Sequence, residues 1–405
     1  MNIAIVHPYR IHAGAVGGST RVFELAQFFA RRRHRVAVFS HADRTITGAC
    51  PVLADLGVEQ HVFDLPVPSR LTQARWVFDE SKPYYAHRNM NPALASAIGA
   101  AAGTTDVVHL ELGYMAPAIA ALPACVVRGL AEQEVMPLML ERLERVDWRE
   151  RSTYERVAPL MRRRAIAFDR RTLPAFDLLY GITEKDAAYL RDASGRDAAV
   201  LPHVVSVARF AASLPDEQDR ATAMFVGNFQ HRPNVHAARW FVQEIWPQVV
   251  SRVPFARCEF VGPGLDTASQ TALTVPGVAV CGYQPDLAAC YRRATVVINP
   301  VISGGGMRGK VLEAMASAAA VVSTSVGLEG IAAAAGQHCI VADDAASFAD
   351  GIVSYLTNPV MRRAHGDAAR RLIAQNYDAP AVFARLESDY QRAVDARRQG
   401  LRTSA

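Results

Sequence analysis

The sequence contains no Cys-x-x-Cys pair and no His/Cys cluster at zinc-finger spacing. Its six cysteines, Cys50, Cys125, Cys258, Cys281, Cys290 and Cys339, are scattered, which argues against a thiolate metal module or a disulfide-stapled scaffold. No apolar run approaches the roughly 20 residues that a membrane span requires. Met1 leads directly into the alternating apolar segment Ile3 to Val6, with neither a basic leader nor a small-residue cleavage pattern, so a cytoplasmic chain is expected. A formal net charge of +5 over 405 residues is too mild to call for nucleic acid. No Asp-x-Asp triple is present to chelate a cation on a diphosphate, and neither a metal nor a cofactor is expected. The charge is nevertheless uneven. Between Glu141 and Arg171 lie Arg142, Arg145, Arg149, Arg151, Arg156, Arg162, Arg163, Arg164, Arg170 and Arg171, the pattern of a solvated helical face or of contact with an anionic membrane or acceptor.

What is present is a chain of 405 residues, half of them apolar, too long for one compact core and of a length for two domains. Short β-branched segments alternate with helical patterns: Ile3 to Val6, Val36 to Phe39, Val58 to Phe63, Val107 to His109, Cys125 to Val127, Leu178 to Ile182, and Val200 with Leu201. This rhythm predicts a parallel α/β sheet. Ser19 is placed to cap the first helix, with Val22, Leu25, Ala26 and Phe29 on one face. The period fades over residues 206–219, read as a linker. A second series then runs through Met224 to Val226, Cys258 to Val261, Val278 to Cys281, Thr295 to Ile298, Ala320 to Ser323 and Cys339 to Val341. The expected organisation is a Rossmann-like domain over 1–205, a second over 220–380, and a final amphipathic helix over 381–397 packing back on the first. The polar tail Arg398 to Ala405 is expected to be disordered.

In open parallel sheets ligands bind beyond the carboxyl ends of the strands, where every candidate residue falls. Gly17 and Gly18 follow the first strand and allow close approach of an anion to the next helix, or form a plain turn. Their spacing is not G-x-G-x-x-G, and no acid ends the second strand at Phe39, so a dehydrogenase is disfavoured. The strand ending at Asn299 and Pro300 is followed by Gly304, Gly305 and Gly306, then by Arg308 and Lys310 where a helix resumes near Gly309. Backbone amides and two cations there suit a diphosphate. The match of Gly304 to Lys310 with a P-loop is accidental, because Val311 stands where Ser or Thr must hold magnesium. Glu313, one turn on, suits two ribose hydroxyls or an internal ion pair. Tyr283 is placed to stack a base, with Asp286 capping the helix after it. His109 and Glu111, alternating on one face at the end of a first-domain strand, are the catalytic candidates.

These residues resemble retaining glycosyltransferases of family 4. The likeness is carried by the opening IAIVHPYR with GGSTRVFELAQFFARRRHRVAVFS, by DVVHLE, by FVGNFQHRPNVHAARWFVQEIWP, and by GGGMRGKVLEAMA with VVSTSVGLEGI. It implies the GT-B fold, two Rossmann-like domains facing a cleft, and transfer of a sugar from a nucleotide-diphosphate donor to a glycan, lipid-linked or protein acceptor. It further implies that Gly17 and Gly18 approach the diphosphate, that Arg308 and Lys310 grip it, and that Glu313 holds the ribose. The family's sugar-contacting glutamate falls on Gly305, its second histidine on Glu111, and its Pro-Asn-Gly reads Pro202, His203, Val204. A non-catalytic nucleotide-sugar-binding homologue or partner subunit, and an epimerase of the same fold, are the alternative readings.

Overall fold

The computed structural model describes residues 1–12, 18–42, 48–119, 122–144, 157–210, 221–304 and 306–403. The chain forms two compact units, Met1–His203 with Val382–Ala405, and Val204–Ala381. Among the described residues the first holds seven strands: β1 (Asn2–His7), β2 (Arg35–His41), β3 (Glu59–Phe63), β4 (Val107–Glu111), β5 (Val127–Glu132), β6 (Leu178–Gly181) and β7 (Ala199–Val200), in the order β3-β2-β1-β4-β5-β6-β7. The second holds six: β8 (Thr222–Val226), β9 (Arg257–Val261), β10 (Val278–Gly282), β11 (Val296–Asn299), β12 (Val321–Ser323) and β13 (Ile340–Val341), in the order β10-β9-β8-β11-β12-β13. Neighbouring strands pair in parallel, β1 with β2 and β4, and β8 with β9 and β11. The central strands β4, β8 and β11 are buried at every residue, as parallel strands covered by helices on both faces must be.

The helices used below are α1 (Gly18–Arg31), α2 (Arg70–Phe78), α3 (Met136–Glu144), α4 (Ala158–Thr172), α5 (Arg232–Trp240), α6 (Leu287–Arg293), α7 (Gly309–Ala316) and α8 (Ala379–Thr403). α1 begins at Gly18, so Ser19 lies inside its first turn and is not the cap expected of it. The fifth strand starts at Val127 rather than Cys125. It continues through the polar Arg128 because that residue's amide donates to Asp177 Oδ2 at 2.8 Å and its guanidinium reaches the Ala175 carbonyl.

Val382, Leu386, Tyr390 and Val394 recur every four residues along α8 and are all buried. This stripe packs on the first unit, where a Cβ at Gly129 in β5 would overlap the Tyr390 hydroxyl. The tail expected to be disordered is helical as far as Thr403. Arg397 pairs with Asp177 at 2.6 Å and Arg398 with Asp106 at 2.8 Å, giving the polar end acids to hold it. In the second unit the core centres on Phe225, Phe229, Phe241 and Phe260, which meet edge to face.

Candidate functional site

In each sheet the strand order reverses once, between β1 and β4 in the first and between β8 and β11 in the second. A crevice opens at such a switch point, beyond the carboxyl ends of the two strands. In the second unit the loops there are residues 227–231 and 300–308. The first is closely packed: Gly262, at φ +133°, sits where a Cβ would overlap the Gly227 carbonyl. In the second loop Gly304 and Gly306 have φ of +98° and +77°, conformations that disfavour a side chain. Gly305 lies outside the described residues. α7 then begins at Gly309 with no side-chain cap on its first amides, which leaves its positive end for an anion.

Lys310 is the centre of this site. Its Nζ donates to Asn234 Oδ1 at 2.7 Å and lies 4.3 Å from the centroid of the Phe225 ring. Burial, then the nearby charge of Arg308, push its ammonium down to about 7, against an opposing pull from Glu313. Arg308 precedes α7 and donates to the Ser303 carbonyl at 3.4 Å. Burial, followed by the charges of Arg308 and Lys310, also lowers the pKa of His231. The loop 227–231 and the start of α7 therefore share one electropositive region.

Glu313 accepts a hydrogen bond from the Tyr291 hydroxyl at 3.0 Å. Burial raises its carboxyl, while the Tyr291 bond and the charges of Arg209 and Lys310 oppose the rise. Val311, Leu312 and Met315 of α7 are wholly buried, each worth about 1.5 to 3 kcal/mol, so these polar groups stand on a fixed helix. Asn234, Tyr291 and Phe225 were not among the sequence candidates. The motif FVGNFQHRPN held the signal for Phe225 and Asn234. Tyr283 stands apart from this group: 63% exposed, it follows the edge strand β10, two strands from the switch point. Asp286 caps α6 as expected, accepting from the Ala289 amide at 3.0 Å.

At the other switch point the structure brings His109 and Glu111 together, both fully buried. Glu111 Oε1 accepts from Arg21 Nε and faces His109 Nε2, each at 3.1 Å, and its Oε2 accepts from Gln133 at 2.7 Å. The other ring nitrogen of His109 meets the Tyr390 hydroxyl of α8. Burial would raise the Glu111 carboxyl, but Arg21 and His109 overcome it and bring it down to about 2. His7 and His203 are held neutral beside this group, each pushed down to about 4, chiefly by burial. The carboxylate is thus a shielded anion with protein partners on both oxygens. Arg21, inside the GGSTR motif, escaped the sequence reading. Gly17 lies outside the described residues, and Gly18 opens α1. Among the described residues no group of His, Cys, Asp and Glu is arranged to hold a metal, and no helix is long and apolar enough to cross a membrane.

Residues 220–358 match the family described as Glycosyl transferases group 1. A curated relative, an uncharacterized 44.6 kDa protein in the cps region of Klebsiella pneumoniae, is 29% identical over 171 residues. That match covers 40% of this chain and 44% of the length of that protein. Among solved structures, a sucrose-phosphate synthase from Thermosynechococcus elongatus is similar at a TM-score of 0.69 and 15% identity, over 98% of this chain and all of that one. HepE of Anabaena, solved in complex with UDP and glucose, is similar at a TM-score of 0.65 and 14% identity, over 96% and 99% of the two chains. The chain has the GT-B fold of these structures, and residues 220–358 are similar to the glycosyl transferases group 1.

Proposed function

We propose that the chain transfers a sugar from a nucleotide-diphosphate donor to an acceptor, without a divalent metal and with retention at the anomeric centre. The observation that carries this reading is Lys310, a half-buried cation at the uncapped start of α7, at the switch point of the second sheet. A diphosphate leaving group develops charge as the sugar departs. Lys310, Arg308 and the helix amides supply a fixed positive field for that charge without a cation. Glu313 is the acceptor for ribose hydroxyls, and the exposed Tyr283 is the stacking face for a base. Bound UDP in the similarly folded HepE supports a nucleotide-sugar donor.

His109 and Glu111 act in this proposal as a positioning network rather than as groups that meet the sugar, because both are buried and occupied by protein partners. The test is calorimetry of the purified chain with nucleoside diphosphates and their sugar conjugates, followed by transfer assays in excess chelator. One diphosphate is expected to bind, its sugar conjugate to be consumed without metal, and the product to keep the donor's anomeric configuration. Absence of diphosphate binding rejects the site. Binding without turnover on any acceptor makes the chain a non-catalytic homologue. Activity that returns only with magnesium rejects the metal-free mechanism.

A further inference from the structure

The first unit carries a surface that the transfer reading does not use. On α2 the exposed positions are Arg70, Leu71, Ala74, Arg75 and Phe78, a helical stripe at intervals of one, three, one and three residues. Leu71 is 64% exposed, Phe78 81%, and Val67, just before the helix, 81%. The helix is anchored from its other side. Ser69 caps it by accepting from the Thr72 amide, and Trp76 stacks on His87 with ring centroids 5.5 Å apart. Among the described side chains the outward stripe is therefore apolar and cationic. Of the acids that follow, Asp79 is held by the Ser81 amide at 2.7 Å and by His87 at 3.0 Å, while Glu80 is exposed.

The arginine-rich α4 adjoins this stripe, its Arg171 guanidinium donating to the Ser81 carbonyl just beyond α2. Its solvent face is apolar and basic in the same way: Leu160, and Val157 just before the helix, are exposed with Arg163 and Arg171, while Arg170 lies 3.8 Å from the carboxylate of the exposed Asp192. The helix's one acid, Asp169, is turned inward and accepts from the Tyr189 hydroxyl at 2.9 Å.

We propose that α2 and the exposed face of α4 dock the first unit on an anionic phospholipid surface, with Val67, Leu71 and Phe78 entering the headgroup boundary and the arginines lying at the phosphates. Exposed aromatic and aliphatic side chains interleaved with arginine are what such an interface rewards, apolar area and charge acting together. A folded protein partner would match cations with anions but would leave three separated apolar tips without a shared pocket. The proposal does not depend on the transfer chemistry.

The test is co-sedimentation of the full chain with vesicles of phosphatidylcholine alone and with phosphatidylglycerol added. Binding is expected only to the anionic vesicles and weakens at high salt. The double substitution Leu71→Ser with Phe78→Ser weakens it by roughly tenfold or more. Arg70→Ser with Arg75→Ser weakens it about fivefold per charge. Both variants should melt with the wild type, since each replaces exposed side chains. Wild-type chain that ignores anionic vesicles, or binds neutral ones equally, overturns the proposal. Variants that bind as the wild type does overturn the assignment to α2.

Discussion

Lys310 illustrates how one residue links burial to binding. Held under a Phe225 ring with its ammonium at about 7, it is partly neutral in the free protein near pH 7. An incoming diphosphate favours the charged form and raises the pKa, so binding takes up a proton. Affinity is then highest below pH 7 and declines as the pH rises through the free-state value. Calorimetry near pH 8 in two buffers of different ionisation enthalpy is expected to show net proton uptake, and Lys310→Arg to abolish it. Lys310→Ala is expected to cost about 1.5 to 3 kcal/mol of diphosphate binding, the scale of a charge-assisted bond, with nucleoside binding unchanged. Wild-type affinity in that variant removes Lys310 from the site. The pair Arg308 and Lys310, with Glu313, was legible in the sequence because one loop and one helix turn deliver all three. Asn234 and Tyr291, which hold Lys310 and Glu313, were not. They stand 76 and 22 residues away from the groups they bind, and local patterns carry no information on which distant side chain arrives.

Among the elements, the central strands β4, β8 and β11 are legible as apolar runs because a doubly covered strand has no polar face to break the pattern, whereas the edge strands β3 and β7 are largely exposed and carry a weaker signal. Boundaries were less legible. β5 moved toward Arg128 and Gly129 because the partners that make those residues acceptable in a strand, Asp177 and Tyr390, lie far along the chain. The same juxtaposition explains α8. Its length was underestimated because the acids that hold Arg397 and Arg398 belong to the ends of other elements. Gly129→Ala is expected to destabilise the chain by about 1 to 3 kcal/mol through overpacking against Tyr390. In a Tyr390→Leu background the same change should cost less, since the atom it meets is gone. Denaturant melts of the four chains form a double-mutant cycle. Additive effects show that the Gly129 and Tyr390 positions are independent and reject this account of how α8 is seated.

At the scale of the whole molecule, two sets of buried groups pull stability in opposite directions as the pH changes. His7 and His203, each at about 4 in the fold against an ordinary 6.5, contribute stability that is full above pH 6.5 and is lost as the pH falls toward 4. Asp169 behaves oppositely. Burial lifts its carboxyl from 3.8 to about 7, opposed only by the Tyr189 bond, so its contribution is greatest below pH 3.8 and is lost as the pH rises through 7. Burial also raises the neighbouring Glu132, and the charge of Asp169 adds to that rise. Between pH 4 and 6.5 the two sets partly cancel, and the wild-type melting temperature should vary little there. Asp169→Asn keeps an oxygen for Tyr189 and removes the titration. Its melting temperature relative to the wild type is expected to be highest near pH 8 and to fall steadily as the pH is lowered to 4, while its own melting temperature falls with the histidines no longer offset by Asp169. Melting curves of the two chains across that range decide the matter: a difference independent of pH shows that Asp169 does not titrate between the folded and unfolded states.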